Sequence, residues 1–459
     1  MADTSFNITA DSKADSTAHH ENAELYAGHL REVSQHYLDT AKAQGKAGVV
    51  IASGSLKTAF LDDHTYPFKV NPHFKALLPI TQVPDSFVVL REGEKPQLLF
   101  NQPEDYWHMT PETPAGYWVD QWDITPITQL SDAHNHLGDS DKLTYIGEET
   151  AIAAELSITD CNNPDLLNPL HYQRAYKTDY EISCLQAASR IASLGHQAAK
   201  AAFDEGASEF AIQQAYLTSI SHREQETPYS NIVALNEHCA VLHYQFYEHK
   251  RFNGSERKSM LIDAGANYQG YAADVTRTYA AEPGLFRDLI AAMDEAHLGI
   301  VADIEVGMDY ATLHEKMHMR LADILKQHGL VDMSKEAMIE TNLTFTFLPH
   351  GLGHFLGLQT HDVGGFQQSP KGDVKAAPDK YPALRLTRKI ENRQVFTIEP
   401  GLYFIPMLLK ELKASANANA IDWDKIDTLL PFGGIRIEDN IAMINGRAMN
   451  MTREAFAQL

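Results

Sequence analysis

Two aspartates and two glutamates in apolar, strand-like contexts, and three histidines in one glycine-rich stretch, are the residues of this chain whose types and order could do chemistry. LIDAGANYQGYAADVTRTY (261–279) sets Asp263 near the end of one predicted strand and Asp274 on the next, across a turn at Asn267 to Gly270. VFTIEPGLYF (395–404) sets Glu399 in an apolar strand bent by Pro400-Gly401. GGIRIEDNIAMI (433–444) alternates so that Arg436, Glu438 and Asn440 share one face. FLPHGLGHFLGLQTHDVGG (347–365) carries His350, His354 and His361. His350 and His354 have the four-residue spacing of a helical H-E-x-x-H zinc motif. Gly351 and Gly353 lie between them, however, each costing a helix interior about 1 kcal/mol, and no glutamate follows the first histidine. The stretch predicts a loop or strand end where backbone approaches something closely, with the histidines' partners coming from elsewhere in the chain.

Each residue alone has an ordinary explanation. Asp263-Ala264-Gly265 fits a turn, Glu399 or Glu438 fits a buried acid paired with an arginine such as Arg436, and a single histidine fits a hydrogen-bonded core residue. The ordered set Asp, Asp, His, Glu, Glu is harder to explain that way. Isolated carboxylates in a low-dielectric interior neutralise or cost several kcal/mol, and four together repel one another unless cations sit among them. Two divalent ions cancel four carboxylates, and one histidine nitrogen completes a shell. Oxygen-dominated ligation with one imidazole suits Mn²⁺ or Co²⁺, and less uniquely Zn²⁺. Such a pair activates water against an amide or phosphoryl centre.

The elements that must position these residues belong to a long chain. At 459 residues two domains are expected. Hydrophobic residues make up 44% and charged ones 22%, an ordinary globular mixture. A net charge of −23 argues against nucleic acid or an anionic membrane as partner. Cys161, Cys184 and Cys239 are sparse and unpaired in sequence, as expected in a reducing compartment. Residues 1–21 are polar and small and read as a disordered tail, without the basic and apolar regions of a secretory signal. No apolar run approaches a membrane span, so a cytoplasmic location is the expectation. ENAELYAGHLREVSQHYLDTAKAQ (21–44) predicts a helix; AGVVIASG (47–54), DSFVVLREGEKPQLLF (85–100, turning at Glu92-Gly93-Glu94) and LTYIGEE (143–149) predict strands. These elements outline an α/β domain over residues 22–175. A boundary near 175 precedes a helix capped by Thr178 and Glu181, with Ile182, Leu185, Ile191 and Leu194 on one face. Glycine, an N-cap residue (Ser208, Asp309) and an apolar residue (Ile212, Leu313) recur at an offset of 101, which predicts two related halves within 176–459.

DAGANYQGYAADVTRTY, PHGLGHFLGLQTHDVGG, TIEPGLYF and GGIRIEDN together resemble the pita-bread metallopeptidases, most closely the bacterial Xaa-Pro dipeptidases, some of which are also called organophosphorus acid anhydrolases. The likeness runs from about residue 23 to the end and includes FLDDHTYPFKVNP (60–72) and TPYSNIVALNEHCAVLHY (227–244). It implies an α/β (α+β) fold, with an N-terminal α/β domain and a pita-bread domain of two pseudo-symmetric halves around a mostly antiparallel sheet. It puts the metal ligands on Asp263, Asp274, His354, Glu399 and Glu438, with Glu399 also the proton shuttle. His243 and His361 correspond to histidines that hold substrate and stabilise the oxyanion, and Arg436 to a grip on the substrate's carboxylate. His350 would stand beside the ligands, and Tyr229, Leu242 and Asp63 would be substrate-facing, Asp63 across a dimer interface. The implied activity is hydrolysis of dipeptides ending in proline by a water that two divalent ions, Mn²⁺ or else Co²⁺ or Zn²⁺, activate. Phosphotriesters and fluorophosphonates are the expected side substrates, and a homodimer the expected assembly. Phe355, where relatives often carry histidine, Ser230 in place of a glycine, and the leading tail are the departures. Aminopeptidase P shares the five ligands and is the alternative. A methionine aminopeptidase would lack the 175 residues ahead of the metal domain, and a non-catalytic relative would be expected to lose ligands.

Overall fold

The computed structural model describes residues 12–459; of the tail expected over residues 1–21, residues 1–11 lie outside the described residues and residues 12–21 fall within the first helix, which begins earlier than expected. The first helix spans Ser12–Ala43, and side chains are described from residue 22. The chain divides into two compact units. The first runs to Gln173 and takes in Thr178–Glu181 and Pro370–Gly372; the second comprises Arg174–Lys177, Ile182–Ser369 and Asp373–Leu459. Among the described residues no helix is long and apolar enough to cross a membrane, and the three cysteines are free.

The first unit is built on a six-stranded sheet of β1 (Gly48–Ala52), β2 (Phe87–Arg91), β3 (Gln97–Asn101), β4 (Asp123–Ile127), β5 (Leu143–Ile146) and β6 (Asp160–Cys161), in the order β4-β3-β2-β1-β5-β6. β1 pairs antiparallel with β2 and parallel with β5, so the sheet is mixed. Every residue of β1 is buried, which explains its unbroken apolar run: with both faces covered, a strand has no polar side to alternate. Val50, Phe87, Val89, Leu99 and Tyr145 pack against Ala133, Leu137, Ala153 and Leu156. The predicted hairpin is present, its connection passing through Gly93 at φ 76°.

In the second unit two helix pairs each precede a small antiparallel sheet. Helices Asp179–Asp204 and Glu209–Ile220 lead into β7 (Ile232–Leu235), β8 (Ser259–Asp263), the hairpin β9 (Asn267–Tyr268) and β10 (Tyr271–Ala272), and β11 (Thr276–Ala280). Helices Leu285–Ala302 and Tyr310–Gln327 lead into β12 (Val395–Ile398), β13 (Gly401–Tyr403), β14 (Gly434–Arg436), β15 (Asp439–Ile444) and β16 (Arg447–Asn450). The sheets are β11-β8-β7, β12-β15-β16 and the pair β13-β14. The offset of 101 falls on corresponding helix starts. Ser208 and Asp309 are the N-cap residues, and Ile212 and Leu313 are both fully buried. The halves meet where β11 adjoins the β14–β15 connection: Glu438 N–H donates to Thr276 O at 3.0 Å, and Thr278 Oγ1 donates to Arg436 O at 2.9 Å.

Two expectations change. GGIRIEDNIAMI is two strands interrupted at Ile437-Glu438, because Glu438 pairs with Thr276 across the junction and Ile437 N–H turns to Pro400 O. Thr178 and Glu181 do form the capping box, with bonds of 2.8 and 3.3 Å. The helix they start, however, buries Ala188, Ala192, Ala199, Ser189 and Ser193, leaving Leu194 36% exposed. Small residues line that face because the next helix packs close; a Cβ on Gly195 would meet the Tyr216 ring at 2.5 Å.

Segment 174–177 is fastened within its unit by a buried ion triad. Asp362 faces Lys177 Nζ at 3.1 Å and Arg174 Nη2 on its other oxygen. Burial opposes the Asp362 charge, but Arg174 and Lys177 hold its carboxyl below the usual carboxylate range. A depressed folded-state value stabilises above the unfolded value, and the contribution is lost as pH falls through the folded one. Asp362→Asn, which strands two buried cations, is expected to cost about 3–5 kcal/mol at pH 7. Urea unfolding should show that gap shrinking below about pH 4; equal stability of variant and wild type at pH 7 would contradict the assignment.

Candidate metal centre

Asp263 is the last residue of β8, and Asp274 stands two residues before β11. The hairpin between them turns at Gln269 and Gly270, with φ of 51° and 87°, and returns the chain so that Ala264 N–H bonds Val275 O and Ala273 N–H bonds Ala266 O. The return is too close for a side chain at Gly265, whose Cβ would meet Ala273 O at 2.2 Å. Both acids reach the Tyr229 hydroxyl, Asp263 Oδ1 at 2.8 Å and Asp274 Oδ1 at 2.6 Å. One hydroxyl has one proton to donate, so one of these contacts needs another positive partner to be favourable.

The histidine stretch lies beside β12 as an added strand edge rather than a helix. Thr397 N–H donates to His354 O at 2.9 Å, Leu356 N–H to Val395 O at 3.0 Å, and Glu399 N–H to Leu352 O at 2.8 Å. The predicted close approach is at Gly353, where a Cβ would meet Thr397 O at 2.2 Å and the Tyr310 hydroxyl at 2.3 Å. This register sets His354 beside the acids. Its Nδ1 bonds Phe355 O at 2.9 Å and its Nε2 faces Asp274 Oδ2 at 3.4 Å, Glu399 Oε1 at 3.8 Å and Glu438 Oε1 at 3.9 Å. Burial opposes its charge, but Asp274 and Glu399 outweigh it and raise the imidazole above its ordinary value. Glu438 Oε2 accepts from Thr276 Oγ1 at 2.9 Å. Ligating atoms of Asp274, His354 and Glu438 all lie within 4.8 Å of one another, and all three residues are buried.

Four carboxylates thus face one guanidinium. Arg436 is 5% exposed and donates from Nη2 to Asp263 Oδ2 at 2.7 Å, from Nη1 to Tyr403 Oη at 2.9 Å and from Nε to Thr276 Oγ1 at 3.3 Å. Its carboxylate partner is therefore Asp263, not Glu438. Two of its five N–H groups remain after these contacts. Burial above all, with the neighbouring acids adding, pushes Glu399 up to about 7 and Glu438 well above the ordinary range. Burial raises Asp263 too, against the pull of Arg436. Asp274 alone is held low: burial opposes its charge, but His354 and Tyr229 outweigh it. Four carboxyls, three of which burial holds against ionisation, gathered with one imidazole nitrogen fit a divalent cation centre, in which an ion would replace the protons they otherwise share.

His361 lies edge-on to His354, ring centroids 4.3 Å apart, and burial pushes it down to about 4. His350 bonds the Tyr403 hydroxyl through Nε2 at 2.9 Å and Gly351 O through Nδ1 at 2.8 Å, 3.7 Å from Glu399 Oε2. Burial foremost lowers it to about 3. Leu242 is half-buried and His243 exposed. Asp63 belongs to the first unit, exposed beside Asp62 and His64. Sequence reasoning missed Tyr403, Thr276, Thr397 and Asn440, whose Oδ1 accepts from Asp274 N–H at 3.3 Å. Asn440 had a signal, sharing a strand face with Arg436 and Glu438; the hydroxyls had none.

A family model described as Xaa-Pro dipeptidase, N-terminal domain, matches residues 24–172, and one described as metallopeptidase family M24 matches residues 183–445. A protein named Xaa-Pro dipeptidase from Shewanella pealeana is 46% identical over 94% of this chain and 98% of its own length. Another of that name from Pectobacterium carotovorum is 48% identical over 96% and 99%. Among solved structures, zinc-substituted aminopeptidase P of E. coli with product has TM-score 0.69 and 21% identity over 92% of this chain and 97% of its own. Proline aminopeptidase P II of Yersinia pestis gives 0.65 and 21%, over 93% and 100%. At such identity these structures establish the shared fold.

Without the ions, the carboxyls that burial pushes upward hold protons that a cation must displace. Mn²⁺ added to chelated protein is expected to release protons near pH 7 and to bind more weakly as pH falls toward 6, read by calorimetry in buffers of different ionisation enthalpy. An affinity constant from pH 6 to 8 would contradict this. Gly353→Ala should push His354 off β12 and lower metal content at least severalfold while the chain stays folded; full metal content in that variant would show the close approach to be dispensable.

Proposed function

The chain belongs to metallopeptidase family M24, and from that membership we propose that it is an Xaa-Pro dipeptidase, cleaving dipeptides whose second residue is proline. The observation that carries the activity is near-full-length identity to proteins of that name, including the N-terminal domain match. Asp263, Asp274, His354, Glu399 and Glu438 would hold two divalent ions, manganese in preference to cobalt or zinc given four carboxylates and one imidazole. Bound there, they would polarise the scissile carbonyl and acidify an attacking water.

The remaining work falls to the chain's own side chains. Glu399 would take the water's proton and hand it to the departing proline nitrogen. The substrate bond is a tertiary amide without N–H, so recognition must use its carbonyl and its ends. His361, kept neutral by burial, and His243 donate to the carbonyl oxygen as negative charge develops on it. The two N–H groups that Arg436 retains would grip the proline carboxylate, an interaction available only when proline is the last residue. Tyr229, Leu242 and His350 would face the substrate. Asp63 would be supplied by the first unit of a second copy in a homodimer, whose expected location is the cytoplasm. A tetrahedral phosphorus centre copies the shape of the amide intermediate, so organophosphorus triesters and fluorophosphonates would be side substrates.

Aminopeptidase P is the second reading, favoured by the solved structures that share the fold. Protein stripped by chelation and reloaded with Mn²⁺ should hydrolyse Gly-Pro at least about tenfold better in kcat/KM than Gly-Pro-Ala, because the tripeptide moves the carboxylate away from Arg436. Faster cleavage of the tripeptide would assign the chain to the aminopeptidases instead.

A further inference from the structure

Glu209 is a carboxylate that the chemistry above does not use, buried to 1% exposure at the first position of the helix Glu209–Ile220. Oε1 accepts from Leu235 N–H at 2.8 Å and from His238 Nδ1 at 2.7 Å; Oε2 accepts from the Tyr244 hydroxyl at 2.7 Å and from Glu248 N–H at 2.8 Å. Leu235 and Glu248 lie at the two ends of the segment that presents His243, and His238 and Tyr244 lie inside it, their rings stacked at 4.5 Å. Phe210 N–H returns a bond to Glu248 O at 3.2 Å, closing the segment onto the helix start. Tyr244 is buried while its neighbour His243 is exposed, so the anchored ring sets where the free imidazole stands. No arginine or lysine among the described residues pairs with Glu209; aligned donors and the positive end of the helix dipole stabilise its charge instead.

The other half offers an independent parallel. At the offset of 101 the residue matching Glu209 is Tyr310, also first in its helix. Its hydroxyl donates at 2.7 Å to Thr397 O, on the residue that brackets His354 through its own N–H and Oγ1. In each half the second helix begins with a polar side chain that fixes a histidine-bearing segment.

We propose that Glu209 is a positioning residue for the hydrolytic reaction, acting through the segment 235–248 to place the His243 imidazole against substrate. This rests on the assignment of His243 to substrate in the proposed dipeptidase. It predicts non-multiplicative kinetics, because a residue that acts only through His243 has nothing left to contribute once that imidazole is gone.

Gly-Pro hydrolysis by Mn²⁺-loaded His243→Ala, Glu209→Gln and the double variant, with metal content verified in each, tests the proposal. His243→Ala is expected to lower kcat/KM about 100-fold. Glu209→Gln should lower it about tenfold and raise KM, a change that a smaller folded fraction would not produce. The double variant should fall within about twofold of His243→Ala. A double variant that loses the product of the two effects, or wild-type kinetics in Glu209→Gln, overturns the role of Glu209 and leaves His243 intact. Wild-type kinetics in His243→Ala overturns the assignment of His243 and the proposal with it. Should Glu209→Gln not fold, Tyr244→Phe, which removes one donor of the four, takes its place in the same cycle.

Discussion

Four carboxylates gathered where little water can reach them set the terms for the second unit. Among the described residues, Asp263, Asp274, Glu399 and Glu438 have Arg436 as their one guanidinium, with the His354 imidazole facing three of them and His350 beside Glu399. Effective desolvation penalties run to several kcal/mol per ion, so such a cluster persists only when protons or cations offset them. The same imbalance that would destabilise the cluster without ions would draw divalent ions to it.

The fold can hold this cluster because it has two similar halves with a junction between them. One half supplies the paired aspartates at the end of β8 and just ahead of β11. The other supplies His354 from an edge lying on β12, Glu399 from the break after β12, and Glu438 from the break before β15. Strand interruptions recur at the site because a continuous ladder would point alternate side chains away from the junction. Glycines sit where backbone must nearly touch backbone or a phenol, at Gly265 and Gly353. Around the ligands a run of polar groups extends from Arg436 through Tyr403 to His350, fixing the guanidinium and the imidazole together.

The centre was legible in the sequence because a charged residue inside an apolar strand is locally anomalous. Asp263 after Leu261-Ile262, Glu399 after Thr397-Ile398 and Glu438 after Ile435-Arg436-Ile437 each stand out, and their order completes the pattern. The glycines around His354 argued correctly against a zinc helix. Periodicity failed where packing was decided by a distant neighbour. Leu194 is exposed because Gly195 admits the Tyr216 ring, and the break at Ile437-Glu438 exists because Thr276 lies opposite. Nothing in local spacing marks Thr276, Tyr403 or Glu209, since their partners lie 26 or more residues away along the chain. The partner of Arg436 was equally unreadable: Glu438 is two residues off and Asp263 is 173, and the fold chose the distant one.

The central claim is that paired dications balance these buried acids. Anomalous diffraction from crystals of the manganese-loaded protein, collected at the manganese edge, tests it most directly. The account predicts two peaks per chain, both enclosed by Asp263, Asp274, His354, Glu399 and Glu438. Full loading with no peak among those side chains, or with manganese bound only elsewhere, would contradict it.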